Sequence, residues 1–133
     1  MNQNLEVIPL GGLGEFGMNC AVLRLGQDMI LMDAGITFPG GNLTGLGIDL
    51  IVPDIQFLKE NKSQLRGILL THGHEDHAGA VSYVVDEIPA AVYGSRLTLG
   101  LVESRLRERK LVEHAQLTTI EGRGKFTIGP FEV

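Results

Sequence analysis

Hydrophobic and polar positions alternate with a two-residue period through the first third of the chain. Residues 5–10 alternate and end at Pro9-Leu10-Gly11-Gly12, which predicts a short strand running into a glycine-rich turn. Residues 20–25 and 29–33 predict two further strands, joined by a hairpin turn at Gly26-Gln27-Asp28. The opening is therefore a β-meander. From 34 to 53 the periodicity is lost, and Gly35, Gly40, Gly41, Gly45 and Gly47 leave little that suits a helix. A long loop is expected there, of the kind that often carries function.

After Pro53 the period changes. Asp54 reads as the N-cap of a helix with Ile55 and Leu58 on one face. Residues 66–71 form a strand whose continuous apolar run, Ile68-Leu69-Leu70, is that of a strand covered on both faces. A helix over 78–86, a short strand over 91–94 and a helix over 95–111 follow. The last of these is capped by Ser95 and has Leu99, Val102 and Leu106 on one side. Strands return at 117–121 and 125–128. The fold class is mixed α/β, with no internal repeat and no low-complexity segment.

Composition narrows the function classes. A chain of 133 residues with 44% hydrophobic content is one domain or part of one, with enough apolar surface for a core. The net charge of −5 argues against nucleic-acid binding through bulk positive charge, so a polyanion would have to meet a local patch or a metal. Cys20 is the single cysteine, which excludes an intrachain disulfide and fits a reducing compartment. The first six residues, Met1-Asn2-Gln3-Asn4-Leu5-Glu6, show no basic segment leading into an apolar run. No stretch reaches membrane-spanning length. The expectation is a cytoplasmic protein read from its own initiator.

The chemistry concentrates at Thr71-His72-Gly73-His74-Glu75-Asp76-His77, which holds three of the four histidines. In extended backbone His72 and His74 point to the same side and can face one metal ion, and Gly73 lets the chain bend between them. Asp76 and His77 follow at the start of the next helix, where a carboxylate and an imidazole can reach a neighbouring ion. Imidazole nitrogen and carboxylate oxygen in low coordination number suit zinc with a position left for water. Two zinc ions supply an activated water at neutral pH and a Lewis-acid clamp on the bond being cut, so the expected chemistry is hydrolysis. The bland alternative is a chance cluster of surface histidines. The His-x-His-x-Asp-His order directly after a buried strand argues against it. Glu75 reads as solvent-facing or as a partner of a ligand rather than a ligand itself.

His-x-His-x-Asp-His after a buried strand resembles the signature of the metallo-β-lactamase superfamily. Leu10-Gly11-Gly12-Leu13-Gly14-Glu15-Phe16-Gly17-Met18-Asn19, Met32-Asp33-Ala34-Gly35-Ile36-Thr37-Phe38-Pro39, Gly47-Ile48-Asp49, Val52-Pro53-Asp54, the motif itself, Val92-Tyr93-Gly94 and residues 97–111 resemble the ribonuclease J family within it. The resemblance implies an αββα sandwich, a dinuclear zinc site, and hydrolysis of RNA both internally and from a 5′-monophosphorylated end. It implies that His72 and His74 hold one zinc and Asp76 and His77 the other, with Asp76 and His77 catalytic. It makes Asp33 an orienting residue and Gly47 and Asp49 a calcium site. For Gly47 and Asp49 a plain turn with Asp49 as a local cap is the competing reading.

The family's later ligands, a further histidine, a bridging aspartate and a final histidine, have no counterpart here, and neither does the inserted β-CASP domain. The expectation is thus a partial domain spanning 1–133, the first half of the sandwich, inactive alone, and homo-oligomeric only at full length. His114 matches no family ligand and reads as a solvated loop residue. Gly12-Leu13-Gly14-Glu15-Phe16-Gly17 mimics a dinucleotide-binding turn, but the strand pattern of 20–25 follows where a helix would be required. Arg105, Arg107, Arg109 and Lys110 are interleaved with Glu103, Glu108 and Glu113, which favours a solvated helix face with i,i+4 pairs over an RNA-contacting patch. Tyr83 and Tyr93 are too scattered for a stacking platform. A thioesterase-like or lactonase-like hydrolase of the same superfamily and a non-catalytic fragment are the alternatives.

Overall fold

The computed structural model describes residues 4–133. The reading of the first residues as lacking a leader falls partly on 1–3, outside the described residues. Strands β1 (Leu5–Gly11), β2 (Cys20–Leu25) and β3 (Asp28–Met32) form the expected antiparallel meander. Leu25 pairs with Asp28 across a two-residue turn, and Gly26 at its first position has φ 62°. Positive φ there is what a tight hairpin demands and what glycine supplies without strain.

Beyond β3 the sheet becomes parallel. Helix α1 (Gln56–Glu60) precedes β4 (Leu65–Leu69), α2 (Glu75–Ala78) and α3 (Val81–Glu87) precede β5 (Ala90–Gly94), and α4 (Arg96–Glu108) precedes β6 (Ala115–Thr119). The strand order β1-β2-β3-β4-β5-β6 follows the chain. Parallel crossovers that always step in the same direction set their helices on one face of the sheet. A separate hairpin of β7 (Thr127–Ile128) and β8 (Phe131–Glu132) closes the described chain.

Several boundaries move for identifiable reasons. Asp54 accepts a hydrogen bond from the Gln56 amide (2.9 Å), but the helix starts only after Ile55. The 34–53 segment is a loop with internal structure, a 3-10 turn at Gly41–Leu46 and a bridge between Thr37 and Ile51. The strand expected at 117–121 begins at Ala115, because pairing of Ala90 with Ala115 through Gly94 with Thr119 sets its limits. The strand expected at 125–128 is reduced to β7, whose partner β8 the reading did not foresee. Helix α4 matches expectation most closely: Ser95 caps it by accepting from the Thr98 amide (3.2 Å), and Leu99, Val102 and Leu106 are buried.

The main core lies between the sheet and the helices. Val22, Met29, Leu31, Ile68 and Val92 meet Leu58 of α1, Val81, Val84 and Val85 of α3, and the buried stripe of α4. On the opposite face, Ile30 packs with Ile128 and Phe131 of the terminal hairpin, with Leu69 and Tyr93 beside them. The apolar run at Ile68-Leu69-Leu70 is thereby covered on both sides. The β1 end of that second face lies open, with Leu5 and Val7 57% and 62% exposed.

Two expectations test this packing. Leu106 is fully buried among helix and strand side chains, so Leu106→Ala should lower unfolding free energy by about 2–5 kcal/mol in a urea titration. Cys20 is buried in the same core, and desolvation, with the negative charge of Asp33 adding to it, pushes its thiol from the ordinary 9.0 up to about 12. The fold therefore favours the neutral thiol, a contribution fully present below pH 9 and lost as pH rises toward 12. Native protein at pH 8 should resist a thiol reagent that labels the urea-unfolded chain at once.

Candidate metal centre

The C-terminal ends of β3 and β4 lie side by side, the usual position for ligands in open sheets with parallel strands. Asp33 follows β3 and Thr71 follows β4, and the two join the strands beyond their last pairs. The Asp33 amide donates to Leu69 O (2.9 Å), while its carboxylate accepts from the Thr71 amide and from the Thr71 hydroxyl, each at 2.8 Å. The same carboxylate receives His77 Nδ1 at 2.8 Å. Three donors compensate the burial of a carboxylate that is only 5% exposed. Asp33 has φ 60°, a left-handed conformation that Asp tolerates better than most residues and that aims its side chain along the strand ends.

Donation from His77 Nδ1 to Asp33 leaves Nε2 as the unprotonated nitrogen, the arrangement by which a carboxylate can orient a metal-binding histidine. The helix expected at 78–86 is in fact split into α2 and α3, and tertiary hydrogen bonds split it. Asp76 O, which would receive the Ala80 amide in a continuous helix, is taken by the Asn19 amide (2.9 Å). The Ala80 amide goes to Ala34 O (2.7 Å) instead. The Ala34 and Ile36 amides donate to His77 O and Glu75 O at 2.8 and 2.9 Å. Segment 34–36 thus pins the short turn that carries Asp76 and His77. Gly35 makes the approach feasible: a Cβ there would lie 1.7 Å from Asp76 O.

His72, Asp76 and His77 each offer one ligand atom, and these atoms all lie within 4.8 Å of one another. Two imidazoles and a carboxylate, half-buried beside a cleft, form a donor set that fits zinc. His74 lies outside that triad; its ring meets His72 edge-on at 4.7 Å and lines a neighbouring cleft with Asp76. Asn19, which the sequence reading quoted without assigning a role, belongs to the site. Its side-chain amide reaches Asp76 O at 3.1 Å and faces His77 Nε2 at 3.2 Å. Only its position at the end of the glycine-rich turn hinted at this.

Glu75 is ion-paired with Arg105 of α4, a partner outside the motif. Of the basic run, only Arg107 makes the expected i,i+4 pair, with Glu103. Arg105 and Arg109 instead tie α4 to other elements, Arg109 through Asp86, the Ser82 hydroxyl and the Tyr83 ring. His114 is not simply solvated, since its Nδ1 lies 3.2 Å from Val85 O at the end of α3. The glycine-rich turn leads into strand β2, which removes the dinucleotide-binding reading. Gly47 has φ 76° and ends the 3-10 turn, while Asp49 is exposed and belongs to no cluster of three or more His, Cys, Asp or Glu among the described residues.

Asp33→Ala should weaken zinc binding by about 10–100-fold in a competition titration, because His77 loses its orienting partner. Gly35→Ala should also cost unfolding free energy, about 1–3 kcal/mol, because its Cβ meets backbone that cannot rotate away.

Comparison with known proteins agrees with this geometry. The family described as the Metallo-beta-lactamase superfamily matches residues 13–130. Ribonuclease J 2 of Staphylococcus epidermidis is 44% identical over 119 residues, covering 90% of this chain and 21% of that protein. Ribonuclease J 2 of Staphylococcus aureus is 42% identical over the same length. The chain spans about a fifth of the length of these curated relatives. Among solved structures, the metallo-beta-lactamase fold protein YhfI from Bacillus subtilis superposes with a TM-score of 0.61 at 17% identity, over 98% of this chain and 51% of that one. Such a likeness speaks for the fold alone, about half of which is present here. With its mixed six-stranded sheet and its clustered His72, Asp76 and His77, this chain belongs to the metallo-beta-lactamase superfamily and is homologous to the N-terminal part of Ribonuclease J 2.

Proposed function

We propose that this chain is the metal-binding first half of the catalytic domain of a zinc-dependent ribonuclease, which hydrolyses RNA phosphodiester bonds internally and from a 5′-monophosphorylated end. The observation that carries the reading is the 44% identity to Ribonuclease J 2. A match of 119 residues within 133 necessarily includes the histidine motif. That identity favours RNA over the thioesterase- and lactonase-like alternatives that would use the same fold.

In this reading His72 and His74 hold one zinc and Asp76 and His77 a second, the remaining ligands and a β-CASP domain belonging to sequence beyond this chain. When bound, zinc supplies a water of lowered pKa and a Lewis acid for the phosphodiester oxygens. The chain's own residues prepare that chemistry. Asp33 holds the proton at His77 Nδ1 and so directs Nε2 outward. Asn19 fixes the carbonyl of Asp76 and thereby the place of its carboxylate. The pinned turn at 75–77 keeps the donors in position, so they need little reorganisation at reaction. Calcium at Gly47 and Asp49 rests on the family resemblance alone. A cytoplasmic, homo-oligomeric full-length protein is part of the same proposal. Among the described residues no helix is long and apolar enough to cross a membrane.

The test is cleavage of a 5′-monophosphorylated RNA by protein expressed from the whole reading frame. Activity should be lost with a chelator and should fall by at least about 100-fold in Asp76→Ala. Folded, zinc-loaded protein that leaves every RNA intact would defeat the ribonuclease reading.

A further inference from the structure

We propose that Phe16 and Phe38 form a stacking subsite for an unpaired RNA base next to the metal centre. The inference rests on the ribonuclease reading and adds to it where the substrate is gripped. Phe16 and Phe38 are 92% and 67% exposed, whereas Phe57, Phe126 and Phe131 are partly or fully buried. A phenyl ring left in water forgoes the stabilisation that burial gives, so both side chains are available to cover an apolar face. Both residues line one cleft of about 350 Å³ together with Thr37, His74, Glu75 and Asp76. The two phenylalanines therefore share a cleft with the histidine motif.

Their placement is built into the backbone. The Thr37 hydroxyl donates to Phe16 O (3.1 Å), and the Met18 amide donates to Ile36 O (2.9 Å). Gly17, with φ 81°, packs where a Cβ would press on Thr37 and Ile36 O. Thr37 is in turn bridged to Ile51. The turn bearing Phe16 and the strand extension bearing Phe38 are thus fastened to each other and, through 34–36, to the turn carrying Asp76.

Charge limits which part of an RNA this wall could hold. No Lys or Arg lines this cleft, which carries Glu75 and Asp76, and the whole chain has net charge −5. Arg105 and Arg109 are engaged with Glu75 and Asp86. Affinity for a polyanion at this wall must therefore come from its uncharged part. Nucleobases stack on aromatic faces irrespective of sequence, and unpaired bases are free to do so.

The experiment compares wild type with Phe16→Ala/Phe38→Ala and Phe16→Leu/Phe38→Leu, all expressed from the whole reading frame and matched for zinc content. Each is assayed on a single-stranded 5′-monophosphorylated RNA and on the same RNA with one abasic ribose beside the cleaved bond. Stacking predicts a rise in KM of about tenfold or more for the alanine pair on intact RNA. The loss should fall mainly on KM, the leucine pair should recover only part of it, and neither variant should lose more on the abasic RNA. Equal penalties on both RNAs, or none on either, would overturn the subsite. A lowered thermal midpoint with unchanged KM would also overturn it, by showing that another part of the protein covers the rings. Wild-type protein that cuts neither RNA would instead bring down the ribonuclease reading, and the subsite with it.

Discussion

The close approach of residues 33–36 to the turn Glu75–His77 organises everything else in this molecule. Two backbone hydrogen bonds, from the Ala34 and Ile36 amides to His77 O and Glu75 O, cross that seam with the Asp33 carboxylate, the Ala80 amide adds one to Ala34 O, and glycine at position 35 is what lets the two backbones approach closely enough to make them. The seam converts the tail of β3 into a scaffold for the candidate ligands that follow β4. It also explains the broken helix: carbonyls and amides that would continue the i→i−4 ladder are spent across the seam, so α2 stops after a single turn. A continuous helix would satisfy the same groups internally and would leave Asp76 and His77 unanchored.

The distribution of charge follows from the same economy of contacts. The chain is acidic, and two of its cations, Arg105 and Arg109, are engaged in holding α4 to neighbouring elements. The two sheet faces differ in a related way. One is sealed by helices, while the other is capped only in part by the terminal hairpin and opens into a cleft of about 510 Å³ that reaches Asp33, Asn19 and His77. The curated relatives are about four times as long as this chain.

Much of this was legible in the sequence, because the signals are local. Period-two alternation located the meander, Ser95 announced the start of α4, and the continuous apolar run predicted a strand covered twice. His-x-His-x-Asp-His is a local pattern as well, since its spacing along the chain suffices to suggest a metal. The split of α2 from α3, the β8 partner of β7 and the limits of β6 were not legible. Each depends on hydrogen bonds to residues distant in the chain, which propensity and periodicity do not register.

The sequence by itself determined the class of fold, the superfamily resemblance and the residues that could bind a metal, because composition, periodicity and spacing act over a few residues. Only the tertiary structure decided which of those groups meet. It gathered His72 with Asp76 and His77, set His74 to one side, gave His77 its proton partner in Asp33, 44 positions earlier, and brought Asn19 into the site from the end of the glycine-rich turn. The physical reason is that ligand geometry is set by contacts between strand ends. Those ends become neighbours only when the sheet has formed and buried its face.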